Sequence, residues 1–497
     1  MNLISRLKTE SFARGMWLSV VFNILAKGIL FLLTILLAAY FGSNIKTDIY
    51  FFVYGSMVLL AGFINAIDHA VLIPQSMRLR QTDGDAAAMA FLNYFLRIYI
   101  FIGLAFVVLM YFFGTRIFGW MSKFSETDIE LYRNYFLLGS CYFFFLLLTN
   151  YINAILSSLK YFTIPMIISG INSCVVIAGI LLLHNQLDVL SVFISGIAAF
   201  IINLIILLWI LKRQVRWNYF TSHAIINRKT WMNILFAQLG QLATLASSFL
   251  PLFLLSGFGK GIISLINYGK NIADIPNTLI TAQITSVGGI QFNDQAVSKV
   301  GAEMNTSFKQ IGRLLIFLLI PFSGYLIVFA RPLVQLLYQR GNFNSESTIA
   351  TAGFLQLFAM TILGSGINAL VSRIFIAAQA IKQAMFYQLT LNILMIILIW
   401  IMLHFYDVNG YLYSLIIMSI VNIVGMYFIC RRYFMGLDYG ALLEYAIWVI
   451  VINLPVSIFL FYTLSSSGLS PLIKIVLGSF AYMGLLVLMN QFKRMRV

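Results

Sequence analysis

The chain has 497 residues, of which 61% are hydrophobic and 10% are charged, and it carries 32 Lys and Arg against 16 Asp and Glu. A soluble globular protein has about 25% charged residues, so this chain has too few polar side chains to cover a surface in water. Soluble enzymes, disordered regulators and disulfide-stapled secreted domains are therefore excluded. The net charge of +16 is interpreted against a lipid bilayer, and no nucleic-acid partner is expected.

Long apolar runs dominate the chain from one end to the other. A helix needs about 20 mostly apolar residues to cross the hydrocarbon core of a bilayer. Because the runs are continuous and lack the alternation of a barrel, they predict an all-α polytopic membrane protein with about 14 transmembrane helices. The predicted spans, with approximate edges, are 15–41, 49–74, 98–113, 134–158, 163–183, 187–211, 231–256, 261–288, 313–330, 348–378, 383–404, 409–430, 442–464 and 470–491.

The distribution of Lys and Arg predicts the orientation. If both termini are cytoplasmic, 21 of the 32 basic residues fall in inner segments and seven in outer segments. Since Lys and Arg are enriched in cytoplasmic loops, this ratio predicts a multi-pass protein with both termini in the cytoplasm. The four basic residues that remain inside predicted spans are Lys27, Lys270, Arg373 and Lys474, and the last lies near enough to a span end to snorkel.

A weak internal repeat relates the first six spans to the next six. Arg97 aligns with Arg313, and Phe124 aligns with Phe343. Two six-helix lobes of the same orientation are typical of transporters whose halves rock around a site at the midplane. The predicted parts are an N-lobe at 1–212, a cytoplasmic basic linker at 213–230, a C-lobe at 231–433, and helices 13 and 14 at 434–497.

The sequence contains no catalytic motif. Its four histidines are scattered, and neither an HExxH motif nor an ATP-binding GxxxxGK[ST] loop occurs. A membrane glycosyltransferase or polymerase would be expected to have a large outer loop with clustered acids, which this sequence lacks. A transporter without cofactor or metal is therefore predicted, driven by the membrane potential or by a gradient of an ion that the sequence does not identify.

Ionisable residues inside spans are the main candidates for function, because burying each costs several kcal/mol unless it is paired or hydrated. Lys27 lies mid-span beside small residues, and we expect it either to line a cavity or to lie at a close contact between helices. Lys270 and Asp274 are four residues apart on one helix face. They either form an ion pair that neutralises itself within the membrane or line a charged cavity. Arg373 is interpreted as an anion contact or an interhelical bond. The excess of basic groups favours a phosphorylated substrate.

Four further polar positions, and one acid at a helix start, complete the candidates. Asp68 and His69 are either a protonatable pair that could couple transport to an ion or an ordinary buried contact. Gln238 and Gln241 lie on a polar face of the seventh span, which either lines a hydrated path or bonds neighbouring helices. Asp48 lies at the start of the second span, where a helix N-cap is the simplest interpretation.

Three segments resemble the MurJ/MviN lipid II flippase family. FGSNIKTDIYFFVY (41–54) is similar to the family's FG…TD opening, and NYGKNIADIP (267–276) to its eighth-helix block. The segment RPLVQLLYQRGNF and the residues after it (331–383) resemble the block GPL…LF-x-RG-x-F…R-x-FYA-x-x-D. Leu33 and Thr34 stand where the family has an Arg-Asp pair, and Lys27 stands where it has an earlier arginine.

The resemblance implies the multidrug/oligosaccharidyl-lipid/polysaccharide exporter fold, with two six-helix lobes, a cationic central cavity and a lipid-tail groove formed by helices 13 and 14. It implies a flippase that moves an undecaprenyl-diphosphate-linked glycan, a lipid II-like peptidoglycan precursor, across the bacterial inner membrane by alternating access. Its partners would be that glycan and membrane lipids, and a monomer is expected. Asp48, Asp274 and Arg373 match functional positions of the family. The alternatives are a flippase for O-antigen or capsule repeat units and a cation-coupled drug exporter of the same fold.

Overall fold

The computed structural model describes residues 12–159, 161, 163–221, 226–297, 301–434, 436–465 and 467–494. These residues are almost entirely helical and include no strand, which confirms the all-α prediction. The helices are α1 (Phe12–Phe41), α2 (Ile45–Ile67), α3 (Ile73–Thr82), α4 (Asp85–Met121), α5 (Glu126–Leu131), α6 (Arg133–Ser158), α7 (Ile164–Leu187), α8 (Leu190–Gln214), α9 (Arg228–Leu255), α10 (Ile262–Ala273), α11 (Ala282–Val297), α12 (Gly301–Val328), α13 (Ala330–Tyr338), α14 (Ser345–Ala359), α15 (Ile362–Ala377), α16 (Ile381–Tyr433), α17 (Tyr439–Leu460) and α18 (Pro471–Arg494).

Within the part of the chain that the structure describes, 12 helical stretches are long and apolar enough to cross a membrane. Two features explain why the described residues form fewer such stretches than the 14 spans predicted from the sequence. First, α16 contains non-helical backbone at Tyr406 and Asp407, so that it covers both the eleventh and the twelfth predicted spans. Second, the eighth predicted span is divided into α10, a π-helical turn at Asn277–Thr281 and α11.

The chain divides into two packed units, Met1–Ile263 and Ser264–Val497. In the first unit, α6 packs against α2, α4 and α8, and α1 packs against α7. The seventh predicted span, α9, packs against α2. In the second unit, α12 packs against α14, α15, α17 and α18. The lobe and linker limits drawn from the sequence stay a prediction.

The second predicted span is continuous but contains a π-helical turn at Asp68–Leu72, between α2 and α3. Pro74 follows this turn, in the first turn of α3. Proline has no N–H and its ring clashes with the carbonyl four residues earlier, so a helix widens or kinks before it. In the eighth predicted span the order is reversed: α10 ends at Ala273, three residues before Pro276, and the π-helical turn at Asn277–Thr281 follows the proline.

Equivalent phenylalanines of the internal repeat pack in the same manner. The Phe124 ring centroid lies 5.3 Å from that of Phe52 on α2. The Phe343 ring centroid lies 5.5 Å from that of Tyr268 on α10. In both places the next residue is the N-cap of the following helix, and its side chain accepts a backbone N–H. Each six-helix half of the internal repeat therefore anchors the loop after its third predicted span against its second.

Each unit also has a sharp turn whose aspartate has a left-handed φ. Asp188, between α7 and α8, has φ 50° and ψ −140°, and Asp407, within α16, has φ 49° and ψ −140°. The Asp188 carboxylate is ion-paired with Lys46 at 2.5 Å. Asp407 is exposed, and none of the ion pairs among the described residues involves it. Gly410, three residues after Asp407, lies so close to the part of α16 before the turn that an added Cβ would be 2.0 Å from the carbonyl oxygen of Met402.

The segment after α8 returns to α4 through buried hydrogen bonds. The Trp217 indole is 4% exposed, and its Nε1–H donates to Oδ1 of Asn93 at 2.9 Å. The Asn93 amide donates in turn to the carbonyl oxygen of Asn218 at 2.7 Å and to the hydroxyl of Thr221 at 2.9 Å. These bonds fix the first part of the predicted basic linker against the helical bundle.

The segment after α16 returns to α12 through exposed contacts. The backbone N–H of Asp438 donates to Oδ1 of Asn305 at 2.9 Å. The Asp438 carboxylate lies 3.8 Å from Nζ of Lys309, and 51% of the Asp438 side chain is exposed. The connection that leads into α17 is therefore held by an ion pair in contact with solvent.

Hydrogen bonds between side chains join α18 to α12 and α17 to α18. The Tyr325 hydroxyl on α12 and the Ser479 hydroxyl on α18 lie 3.2 Å apart. The Ser457 hydroxyl on α17 donates to Oδ1 of Asn453 at 2.8 Å and lies 2.7 Å from the Tyr482 hydroxyl on α18. Since a membrane interior offers no water to compete, these contacts stabilise the packing of the last two helices within the second unit. Their role as a lipid-tail groove stays a prediction.

Candidate functional site

Lys27 is exposed midway along α1, in a helix that is otherwise apolar. The adjacent Gly28 faces open space, because a Cβ there would meet no atom within 4 Å. Lys27 takes part in none of the ion pairs among the described residues. A charged lysine in contact with lipid at this depth costs several kcal/mol. We therefore expect its ammonium group to contact water or a ligand.

The neighbouring positions on α1 that carry Leu33 and Thr34 are buried. The Thr34 hydroxyl donates to the carbonyl oxygen of Leu30 at 3.1 Å, within its own helix. Here the chain has an apolar residue and a satisfied hydroxyl in place of the charged pair of the family it resembles. The charge on this part of α1 is therefore carried by Lys27.

Asp48 is not the N-cap of α2. The cap is Asn44, whose Oδ1 accepts the N–H groups of Lys46 and Thr47. Asp48 lies one turn further on, is 2% exposed, and accepts the backbone N–H of Gly261 at 2.6 Å. A buried carboxylate bonded to a backbone N–H joins the start of α2 to the segment before α10, and its role toward a substrate stays a prediction.

Lys270 and Asp274 lie where α10 ends. The Asp274 N–H donates to the carbonyl oxygen of Lys270 at 2.8 Å, so the two residues are one helical turn apart as predicted. Lys270 is exposed and Asp274 is half-buried. Both interact electrostatically with Tyr411 on α16, a neighbour that the sequence did not indicate. The second unit therefore presents an exposed ammonium group beside the break in its eighth span.

Arg373 is exposed on α15, and its aliphatic part lies across α11. A Cβ added to Gly289 would lie 3.1 Å from Cδ of Arg373, so the glycine makes room for the arginine side chain. Arg373 is absent from the ion pairs found among the described residues. Its guanidinium group is thus positioned by packing of its methylene groups.

The polar face of α9 is used unevenly. The Gln238 amide donates to the carbonyl oxygen of Phe63 on α2 at 3.1 Å, which supports the helix-bonding interpretation for this residue. Gln241 is exposed and remains available to a hydrated path.

Asp68 and His69 have different surroundings. Asp68 is 1% exposed, and its carboxylate accepts the Tyr99 hydroxyl at 2.5 Å and the Asn65 amide at 2.9 Å. His69 is exposed on the wall of a cavity of about 400 Å³ that Asp68 also lines. Asp68 is therefore a buried carboxyl group whose hydrogen-bond partners are Tyr99 and Asn65, and both interpretations of Asp68 and His69 stay predictions.

The rest of the cavity wall was missed from the sequence. Asn150, Asn153 and Ser157 line it from α6, and Pro165 lines it from the first turn of α7. Asn150, Asn153 and Ser157 follow helical spacing within an apolar run, which is the signal that could have identified them. Among the described residues, no group of three or more His, Cys, Asp or Glu is placed to hold a metal ion.

The structure divides the predicted site residues between its two units. Lys27 and Asp48 lie on α1 and α2 of the first unit, which also holds Asp68, His69, Gln238 and Gln241. Lys270, Asp274 and Arg373 lie in the second unit, on α10, just past its end and on α15. Among these candidates, the structure brings together Asp68 with His69 on one cavity wall and Lys270 with Asp274 on one helical turn.

Comparison with known proteins identifies a matching family. A family model described as "Lipid II flippase MurJ" matches residues 37–481. The "Probable lipid II flippase MurJ" of Bdellovibrio bacteriovorus (strain ATCC 15356 / DSM 50701 / NCIMB 9529 / HD100) is 20% identical over 201 residues. That match covers 40% of this chain and 38% of the relative, so the chain spans well under half of the relative's length.

Solved structures have the same fold. A structure of the "Lipid II flippase MurJ, inward closed conformation" has a TM-score of 0.79 and 18% identity, over 95% of this chain and 99% of that chain. An inward-facing MATE family transporter of multidrug resistance has a TM-score of 0.65 and 16% identity, over 86% of this chain and 96% of that chain. At these identities the similarity establishes the fold alone.

Proposed function

The chain belongs to the lipid II flippase MurJ family, and we propose that it moves an undecaprenyl-diphosphate-linked glycan of the lipid II kind across the bacterial inner membrane. The activity is transport by alternating access rather than catalysis, with both termini in the cytoplasm. The protein acts as a monomer on a lipid-linked substrate.

One observation carries the proposal. Lys27 and Arg373 are exposed on helical stretches that are apolar enough to cross a membrane, and Lys270 is exposed on α10, in the eighth predicted span. Lys and Arg bind phosphate oxygens through charge-assisted hydrogen bonds, and Arg can do so with two parallel bonds. A diphosphate linking lipid to sugar would compensate positive charges that the bilayer alone would penalise.

The same charges suggest a source of energy. An inside-negative potential favours outward movement of an anion by about 2.3 kcal/mol per charge per 100 mV. A diphosphate would therefore gain from the potential unless the protein's cations moved with it. Transport in this direction requires no nucleotide.

The first test is complementation of a bacterial strain depleted of its own lipid II flippase. We expect the wild-type chain to restore growth, and Lys27→Ala and Arg373→Ala to abolish it, because each removes a phosphate contact. Lys474→Ala and Arg432→Ala are matched controls, since they remove the same charges at span ends and should rescue fully.

Full rescue by both Lys27→Ala and Arg373→Ala would overturn the diphosphate site. If the wild type fails to rescue although it is present in the membrane, the substrate is not lipid II. O-antigen or capsule repeat units, and a drug in exchange for a cation, are then the cargoes to test in turn.

Gly289 allows a test that keeps every charge. Gly289→Leu should displace the Arg373 side chain, because even a Cβ there would lie 3.1 Å from its Cδ. We expect a partial loss of rescue at unchanged membrane expression. Gly353→Leu is the control, since a Cβ at Gly353 on α14 meets no atom within 4 Å, and equal rescue by both variants would argue against a role for Arg373.

A further inference from the structure

The cavity beside Asp68 lies wholly in the first unit, and Lys27, Lys270 and Arg373 are not among the residues that line it. It has a volume of about 400 Å³ and lies between the end of α2, the end of α6 and the first turn of α7. Six of the ten residues that line it are polar, although these helices are mainly apolar. The polar side chains that line it are Asn65, Asp68, His69, Asn150, Asn153 and Ser157.

The Asp68 carboxyl group is buried and accepts two hydrogen bonds. One of its oxygens accepts the Tyr99 hydroxyl at 2.5 Å and the other accepts the Asn65 amide at 2.9 Å. These donors favour the charged form, whereas burial opposes it. Because the group is 1% exposed within membrane helices, its carboxylate form requires compensation by a positive charge beside it.

No protein cation supplies that compensation within the described part of the chain. None of the ion pairs found there includes Asp68. The titratable groups that face it from the packed helices are the hydroxyls of Tyr99 on α4 and of Tyr151 on α6. The remaining one is His69 on its own helical run, which is exposed on the cavity wall.

The wall offers oxygen ligands to a cation. Oδ1 of Asn153 is buried and has no hydrogen-bond partner among the described residues. Oδ1 of Asn65 accepts a hydrogen bond from the side-chain amide of Asn150 at 3.3 Å. This bond orients both side chains at the cavity. Carboxylate, amide and hydroxyl oxygens suit hard cations. One carboxylate balances a single positive charge, whereas a divalent ion would leave an uncompensated charge in the apolar interior.

We infer that this cavity binds a monovalent alkali cation, for which Na⁺ is the probe, between the Asp68 carboxylate and the carbonyl oxygen of Asn153. On the predicted topology the ends of α2 and α6 face the cytoplasm, so the site fills from that side. The site is independent of which glycan the protein moves, and its test requires no transport.

The experiment measures Na⁺ binding to the full-length protein, purified in detergent in choline chloride buffer, by equilibrium binding of radioactive Na⁺. We expect saturable binding to one site per chain. Asp68→Asn should weaken it about tenfold or more, which corresponds to about 1.4 kcal/mol. Asn153→Ala should weaken it several-fold, since it removes a neutral ligand and leaves the charge in place.

Asp128→Asn is the matched control, because it makes the same exchange on the short helix α5 of the same unit, and it should bind Na⁺ like the wild type. A symmetrical gel-filtration peak identifies the variants that are folded, and Asn153→Ala tests the site if Asp68→Asn is not among them. Wild-type protein without saturable Na⁺ binding, or folded Asp68→Asn and Asn153→Ala variants that bind as the wild type does, would overturn the inference. Proton uptake at Asp68 without Na⁺ binding would overturn it as well.

Discussion

The turn at Asp188 and the turn at Asp407 have almost the same backbone dihedral angles but different surroundings. Both are Asp-Val sequences, in HNQLDVLS (184–191) and HFYDVNGY (404–411). In the first unit the aspartate pairs with Lys46, whereas in the second a glycine allows the backbone to approach that of Met402. The repeat has kept the conformation of the turn and changed the contacts that stabilise it.

The connections after the sixth and the twelfth predicted spans show the same contrast. In the first unit, neutral and buried hydrogen bonds join the connection to α4, through Asn93 and Trp217. In the second unit, an exposed ion pair of Lys309 with Asp438 joins it to α12. Since buried polar groups are costly to leave unpaired and exposed ion pairs contribute little, the first connection should be the more sensitive to substitution.

The largest expected effect is that of Gly410→Ala. Its Cβ would lie 2.0 Å from the carbonyl oxygen of Met402, which belongs to the backbone and cannot move aside alone. Overpacking of this kind costs about 3 kcal/mol or more, so we expect a large fall in the Tm of the purified protein, or its loss from the membrane.

The control is Ser191→Ala, three residues after Asp188 as Gly410 is three residues after Asp407. It removes one hydrogen bond from the Ser191 hydroxyl to the carbonyl oxygen of Asp188 and should cost about 1 kcal/mol. Similar losses of Tm for Gly410→Ala and Ser191→Ala would mean that the second turn is no tighter than the first.

The second prediction concerns the two connections. Asn93→Ala leaves the Trp217 indole N–H and the Asn218 carbonyl without their partner, which costs about 2 kcal/mol. Lys309→Ala removes a partly exposed ion pair and should cost less than about 1 kcal/mol. Thermal unfolding of both variants in one detergent compares them, and a larger loss for Lys309→Ala would reverse the contrast.

The smallest effect, of opposite sign, is expected from Asp407→Gly. A left-handed φ strains any residue except glycine by about 1–2 kcal/mol, and part of this gain is lost to the more flexible unfolded chain. We expect a rise in stability of about 0.5 kcal/mol. Asp188→Gly relieves the same strain but loses the ion pair with Lys46, so it should stabilise less.

High salt distinguishes the two glycine variants. It screens the half-exposed ion pair of Lys46 with Asp188 in the wild type, so the difference between the variants should shrink as salt is raised. A difference that is independent of salt would show that the ion pair does not account for it.

The sequence was a good guide to the helices and a partial guide to the site. Apolar length predicts the spans because it reports the thickness of the bilayer, and Pro276 marked the break in the eighth span because proline lacks an N–H. The exposure of Lys27 and Arg373 is consistent with the cost of charge in lipid. These features depend on single segments of the chain.

Features that depend on the packing of distant helices could not be predicted. Asp48 looked like a helix cap because its partner, Gly261, is 213 residues away in the chain. The sequence left Asp68 open between a pair with His69 and an ordinary buried contact, because its partner Tyr99 lies on another helix, 31 residues away in the chain. Sequence spacing gives the face of a residue on its own helix, but not the side chain that meets it.

The π-helical turn at Asp68–Leu72 determines which side chains of α3 are buried. A bulge of this kind holds one residue more than an α-helical path, and each residue of an α-helix turns it by about 100°. Because the wider turn absorbs this extra residue, deletion of Ala70 should restore α-helical hydrogen bonding and leave the face of α3 nearly unchanged. The same residues in a regular α-helix would rotate everything that follows by about 100°, so the buried Ser76 would turn outward. The π-helical turn therefore determines which face of α3 packs against α4.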